Sequence, residues 1–207
     1  MDNNKSEQEK IVYKDFDKHW RGLKNYNIIS KLNMYLIDRQ AIKTLLDISP
    51  RTILDVGCGI GRTMSKFKEL GFKVIGVDNS ETSIDFCQKK GLEAILMDAS
   101  NMNFQDNSFD VVFAEGLLEH FENYGPLVKE MIRVSKKHIL LVQPNCHSLC
   151  GKILNIAIET LTKGNIKEIP YRMEEYIESF RKYGCKLILR RPALFNSFAI
   201  LLFQKYE

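Results

Sequence analysis

Three glycines at alternate positions constrain this chain more than any other feature. Gly57, Gly59 and Gly61 follow the apolar run Ile53-Leu54-Asp55-Val56 and precede Thr63-Met64-Ser65-Lys66-Phe67-Lys68-Glu69-Leu70, a stretch that reads as a helix. A buried strand, a glycine turn and a helix opening together present bare backbone to a nucleotide-like ligand. The glycines supply positive φ and remove the side chains that would block that approach. Which ligand fits is then decided by the acidic residues around the turn.

The alternation continues along the chain. Strands are expected at Ile53–Val56, Lys73–Val77, Glu93–Met97, Phe109–Ala114 and His138–Gln143, with helices at Gly61–Leu70, Ser80–Lys90, from Leu117 to Glu122, and at Gly125–Val134. Short apolar strands separated by helices imply an α/β fold, a parallel sheet covered on both faces. Lys186–Leu189 and Phe198–Gln204 are joined only by Arg190–Ser197. That is too short for a parallel crossover, so these two strands should pair antiparallel at one edge.

Upstream, Tyr13, Phe16 and Trp20 share one face of an expected helix, Ile11–Leu23, and a second helix is expected at Met34–Leu46. Between the fifth strand and the hairpin lie an apolar helix, Leu149–Leu161, a loop at Gly164–Pro170 and an amphipathic helix, Glu174–Tyr183. The expected organisation is one domain over 1–207. It comprises a helical lid or cap (1–48), a cofactor-binding core (49–145), a helical insertion (146–170) and a closing helix with its hairpin (171–207).

Ligands of open α/β sheets bind beyond the carboxyl ends of the strands. Asp78 ends the second strand, where a carboxylate can accept from both hydroxyls of a ribose. Asp98 ends the third strand and suits the amino group of an adenine, with the Ala99 amide available to a ring nitrogen. Asp55 lies two residues before the first glycine, where a carboxylate would repel a pyrophosphate. A ligand without phosphates, or with positive charge, is compatible with it. S-adenosylmethionine has no phosphate and carries a sulfonium and an ammonium.

On these residues the chain resembles the class I S-adenosylmethionine-dependent methyltransferases, of the methyltransferase type 11 kind. The resemblance rests on ILDVGCGIGR (Ile53 to Arg62), VIGVDNS (Val74 to Ser80), MDAS (Met97 to Ser100), FDVVFAEGLLEHF (Phe109 to Phe121) and ILLVQPN (Ile139 to Asn145). It implies a Rossmann-like seven-stranded sheet of order 3-2-1-4-5-7-6 with strand seven antiparallel. It also implies that Gly57 and Gly59 lie against the methionine part, with Asp55 helping to bind its ammonium. Asp78 would hold the ribose, Asn79 would flank the adenine, and Asp98 with Ala99 would bind its polar edge. Glu115 would face the methionine part near the sulfonium. His120 follows the strand-four motif and is the candidate base, ahead of His19 and His147; Tyr13 and Trp20 belong either to a lid or to a core stripe.

Composition narrows the remaining choices. The net charge of +4 is segregated as +2 over residues 1–50, −5 over 51–128 and +7 over 129–207. An acidic glycine-loop half suits a cationic ligand, while the basic C-terminal third keeps RNA or protein methylation as a second reading. No recognisable RNA-binding appendage supports that second reading. A catalytically silent S-adenosylmethionine-binding partner protein is a third, but the cofactor acids are intact. The preferred reading is transfer of a methyl group to a small-molecule acceptor, releasing S-adenosylhomocysteine. Ala114-Glu115-Gly116-Leu117 stands where adenine or glutamine-amide methylases carry an N-P-P-Y-like sequence. Cys146-His147-Ser148-Leu149-Cys150 lacks four convergent ligands, so no metal is expected. The polar start, the absence of a spanning run and five cysteines without framework spacing lead us to expect a cytoplasmic protein. Packing in a cap is the expected role of the apolar helix; lining an apolar pocket, homodimerisation and lying on a membrane are the alternatives.

Overall fold

The strands alternate in the face they present, and this alternation builds the molecule. The computed structural model describes residues 28–153, 156 and 168–206. Its elements run α1 (Ile28–Ile48), β1 (Thr52–Val56), α2 (Arg62–Glu69), β2 (Lys73–Asp78), α3 (Glu81–Lys89), β3 (Ala94–Leu96) and β4 (Phe109–Glu115). A 3-10 turn (Leu118–His120), α4 (Gly125–Val134), β5 (Ser135–Pro144), α5 (Met173–Lys182), β6 (Cys185–Ala193) and β7 (Phe198–Lys205) complete them. The seven strands form one sheet in the order β3-β2-β1-β4-β5-β7-β6. β1 to β5 are parallel, and β7 runs antiparallel to both β5 and β6. The expected topology is the observed one.

Because successive strand residues point to opposite faces, the sheet has two cores. Leu54, Val112, Ile139 and Leu141 pack with Val128 and Met131 of α4 and Tyr176 and Phe180 of α5. Ile53, Phe113, Leu140 and Val142 pack on the other face with Ile37, Ala41 and Leu45 of α1, Met64 and Phe67 of α2, and Ile84 of α3. In α5 the buried Met173, Tyr176 and Phe180 fall at helical spacing. Phe180 then stacks on Phe203 of β7, with ring centroids 4.3 Å apart.

Several boundaries differ from expectation. α1 begins at Ile28 rather than Met34. The segment after β4 makes only the short turn Leu118–His120, its cap Phe121 being extended. β6 continues to Ala193, so the connection to β7 shrinks to Leu194–Ser197, with Leu194, Phe195 and Asn196 all at positive φ. Pro192 does not disrupt β6 because that strand is the sheet edge. The expected helix Ile11–Leu23, with Tyr13, His19 and Trp20, lies outside the described residues. Of Leu149–Leu161, residues 149–153 and 156 are helical and the rest lie outside the described residues. Among the described residues no helix is long and apolar enough to cross a membrane.

Candidate functional site

The glycine turn is fastened to β2 from beneath. Gly57 N and Cys58 N both donate to Val77 O, at 2.8 and 3.0 Å, and Gly61 N donates to Cys58 O at 3.0 Å. Gly57, Gly59 and Gly61 sit at φ 73°, 51° and 72°, the left-handed region that glycine enters without strain. Gly61 has a second reason to lack a side chain. A methyl group there would stand 2.4 Å from Leu92 Cδ1 and 2.8 Å from Cys87 Sγ.

Three acids reach the turn from three strand ends. Asp78, at the end of β2, accepts from Gly59 N through Oδ2 (2.8 Å) and from Ser80 N through Oδ1 (2.9 Å). Asp55, in β1, is 1% exposed and accepts from the Thr63 hydroxyl at 2.8 Å. Burial pushes its carboxyl up to about 7, with Glu115 and Asp78 adding like charge and Thr63 and Arg62 opposing. Glu115, at the end of β4, pairs with Arg62 at 2.5 Å. Burial also raises the Glu115 carboxyl, against the pull of Arg62.

Arg62 ties this side of the site to α1. It pairs with Asp38, which Lys66 also engages, and the Asp38 side chain is only 2% exposed. The two carboxylates hold the Arg62 guanidinium above its ordinary range despite the cost of burial. The turn is therefore ringed by four carboxyls, Asp38, Asp55, Asp78 and Glu115, against two cations. That donor set fits a cationic ligand with hydroxyls and does not fit a pyrophosphate.

The remaining expected positions are more varied. Asp98, exposed beyond β3, accepts from both Ser100 N and Ser100 Oγ at 2.8 Å, a turn-capping arrangement. Asn79 and Ala99 are half-buried at the same rim. His120 ends the 3-10 turn and is half-buried, whereas His147 is exposed with its ring Nε2 2.7 Å from Pro170 O. Cys146 and Cys150 are half-buried and form no disulfide, and among the described residues no group of three or more His, Cys, Asp or Glu could hold a metal ion. The residues that motif reasoning passed over are Asp38, Arg62, Thr63 and Glu119. Arg62 did carry a signal: a cation at the first turn of a helix opposes the helix dipole and calls for carboxylate partners.

A seven-stranded sheet of this order, with acids at the ends of β1, β2 and β4 around a glycine turn, defines the class I S-adenosylmethionine-dependent methyltransferases. In agreement with that, residues 54–142, somewhat under half of the chain, match the family model described as a methyltransferase domain. Demethylmenaquinone methyltransferase of Thermotoga maritima is 25% identical over 153 residues, covering 68% of this chain and 67% of that protein. Ubiquinone biosynthesis O-methyltransferase of Rickettsia prowazekii is 31% identical over 140 residues, covering 63% of this chain and 54% of that protein. The chain thus spans about two thirds of the first relative and about half of the second. The crystal structure of magnesium protoporphyrin IX methyltransferase from Synechocystis PCC 6803 with bound SAH superposes with a TM-score of 0.77 at 16% identity. That match covers 96% of this chain and 100% of the other, and it bears on the fold.

Proposed function

We propose that this protein transfers a methyl group from S-adenosylmethionine to a small-molecule acceptor, releasing S-adenosylhomocysteine. The observation that carries the reading is the ring of acids around the glycine turn, with Asp55 buried beneath it and raised to about 7 by desolvation. An ammonium brought beside Asp55 would return that carboxyl to its charged form, so ligand charge and site charge match. Asp78 would turn its carboxylate to the ribose hydroxyls, Asn79 would flank the adenine, and Asp98 with Ala99 would meet its polar edge. Gly57 and Gly59 leave backbone open to the methionine part, and Glu115 with Arg62 closes its far side.

When bound, the cofactor supplies a methyl group already activated by positive sulfur. The chain has to align the acceptor, exclude water and, for a hydroxyl acceptor, remove a proton. His120, on the turn directly after β4, is our candidate for that proton. The names of the relatives, a demethylmenaquinone methyltransferase and an O-methyltransferase of ubiquinone biosynthesis, support a small molecule over RNA or protein.

Calorimetry with S-adenosylhomocysteine and with NAD tests the cofactor assignment. We expect binding of the first and not the second, and the reverse would overturn it. Labelled cofactor in a fractionated cell extract then reads the acceptor class: label should enter small metabolites, and label confined to RNA or protein would refute the small-molecule reading. His120→Ala should bind S-adenosylhomocysteine like the wild type and transfer label more slowly; an unchanged rate would remove His120 as the base.

A further inference from the structure

Two buried polar side chains at the carboxyl ends of β4 and β5 have atoms without hydrogen-bond partners. Glu119 is 3% exposed and its Oε2 has none; Gln143 is fully buried and neither its amide nitrogen nor its oxygen has one. Such a group costs about 1–3 kcal/mol when left unsatisfied. Native structures hold few of them, and each calls for an explanation.

The strand register brings the two groups to the same end of the sheet. Glu115 of β4 pairs in register with Val142 of β5, and Gly116 N donates to Val142 O at 3.0 Å. The next position across the ladder from Gly116 is therefore Gln143. Gly116 has no side chain of its own, and a methyl group there would lie 3.3 Å from Glu119 Oε1. Because Gly116 has no side chain, the Glu119 carboxyl packs against the strand there, on the side of the sheet that Gln143 also faces.

Both groups face the side of the sheet covered by α4 and α5, not the side that holds Asp55 and Arg62. Tyr124, Tyr171 and Tyr176 cluster on that face with ring centroids 4.9, 5.5 and 5.7 Å apart. Burial raises the Tyr176 phenol above its ordinary range, and Glu119, within electrostatic reach, adds to it. Asn145, two residues beyond Gln143 along the same strand line, lines a cleft of about 450 Å³ together with Arg172, Met173 and Asn196. Burial raises the Glu119 carboxyl to about 8, so it is mostly protonated at neutral pH. A protonated carboxyl and a carboxamide together offer donors and acceptors without net charge.

We propose that Glu119 and Gln143 form the subsite that binds the polar head of the methyl acceptor, and that this acceptor is an uncharged aromatic hydroxyl compound. The proposal rests on the methyltransferase reading above. That reading puts the donor's methionine end over β1 and β4, so the acceptor falls next along the sheet, over β4 and β5. The tyrosine cluster supplies an aromatic wall for the ring, and the unpartnered groups supply the hydrogen bonds for the hydroxyl.

The test uses phenol, benzoate and benzylamine as probes, read by ligand-observed NMR on the protein saturated with S-adenosylhomocysteine. Wild type should bind phenol in preference to both charged probes. Glu119→Met and Gln143→Leu should each weaken phenol binding about tenfold, the size of one lost hydrogen bond. Both variants should keep their affinity for S-adenosylhomocysteine and melt at or above the wild-type temperature, because each removes a buried unsatisfied group. Undiminished phenol binding, a preference for benzoate or benzylamine, or a lowered melting temperature in both variants would overturn the proposal. Wild type that fails to bind S-adenosylhomocysteine would overturn the methyltransferase reading, and the subsite with it.

Discussion

Asp55 should make the empty protein less stable as the pH rises, and Asp55→Asn should expose the effect. Burial moves the carboxyl from 3.8 to about 7. Between those values the folded protein binds a proton that the unfolded chain has released. The contribution of this site to stability is therefore fully present below pH 3.8 and is lost as the pH climbs through 7. The whole displacement corresponds to about 4 kcal/mol, of which roughly 2–3 kcal/mol falls between pH 5 and pH 8.5. Asparagine keeps an oxygen for the Thr63 hydroxyl, carries no charge, and leaves an amide whose lost hydrogen bonding costs about 1 kcal/mol at every pH. The variant should then be clearly more stable than wild type at pH 8.5 and close to it at pH 5. For a chain of this length each kcal/mol is worth about 2–4 °C in Tm. Thermal unfolding at the two pH values, without ligand, measures the difference. Added S-adenosylhomocysteine should raise the wild-type Tm and lose most of that effect in the variant. A Tm difference independent of pH, or a variant less stable than wild type at pH 8.5, would refute the argument from buried charge.

Other expectations follow from contacts in the same region. Asp78→Ala should lower affinity for S-adenosylhomocysteine about 10–100-fold by calorimetry, because charge-assisted hydrogen bonds of about 1.5–3 kcal/mol are lost. Arg62→Met leaves Glu115 without its cation and Asp38 with Lys66 alone; urea unfolding at pH 7.5 should show a loss of about 3 kcal/mol, which lower pH should partly restore as Glu115 protonates. Gly61→Ala must hold positive φ and displace Leu92, so it should destabilise by about 1–3 kcal/mol in the same assay. Phe180→Ala, remote from the site, should cost about 3–5 kcal/mol and leave cofactor affinity unchanged in the folded fraction.

The strand order and the glycine turn were legible in the sequence because each rests on local signals. Five apolar strands separated by helices admit a parallel sheet, and a connection as short as Arg190–Ser197 admits only an antiparallel pair. Asp55 and Asp78 were legible because they sit at fixed offsets from the glycines. Asp38 was not, since nothing in the composition of α1 says that a helix 24 residues upstream will lay a carboxylate against Arg62. Such a pairing is made by tertiary packing alone. The sequence pattern assigns Glu119 no role of its own, because residues 168–172 reach the 3-10 turn only in the folded chain, where Ile169 N donates to Glu119 O. Gln143 carries the plainest signal, a lone amide directly after the apolar run Ile139–Val142 and before Pro144. Neither the αL turn at Leu194–Asn196 nor the extension of β6 was legible, because those residues include no glycine to mark the turn.

The reversed direction of β7 has a consequence for how such a protein can change. Had β7 been parallel, the loop joining it to β6 would have crossed the sheet. As built, the hairpin delivers its tip, Leu194–Ser197, to the same rim as the carboxyl end of β5, where Asn145 N donates to Ser197 O and Asn145 Nδ2 to Asn196 Oδ1. The glycine turn and its acids lie on β1, β2 and β4, three separate strands. Residues at the hairpin tip can therefore be exchanged, lengthened or grafted from a relative as a self-contained cassette, reshaping one end of the rim while the other stays under its own constraints.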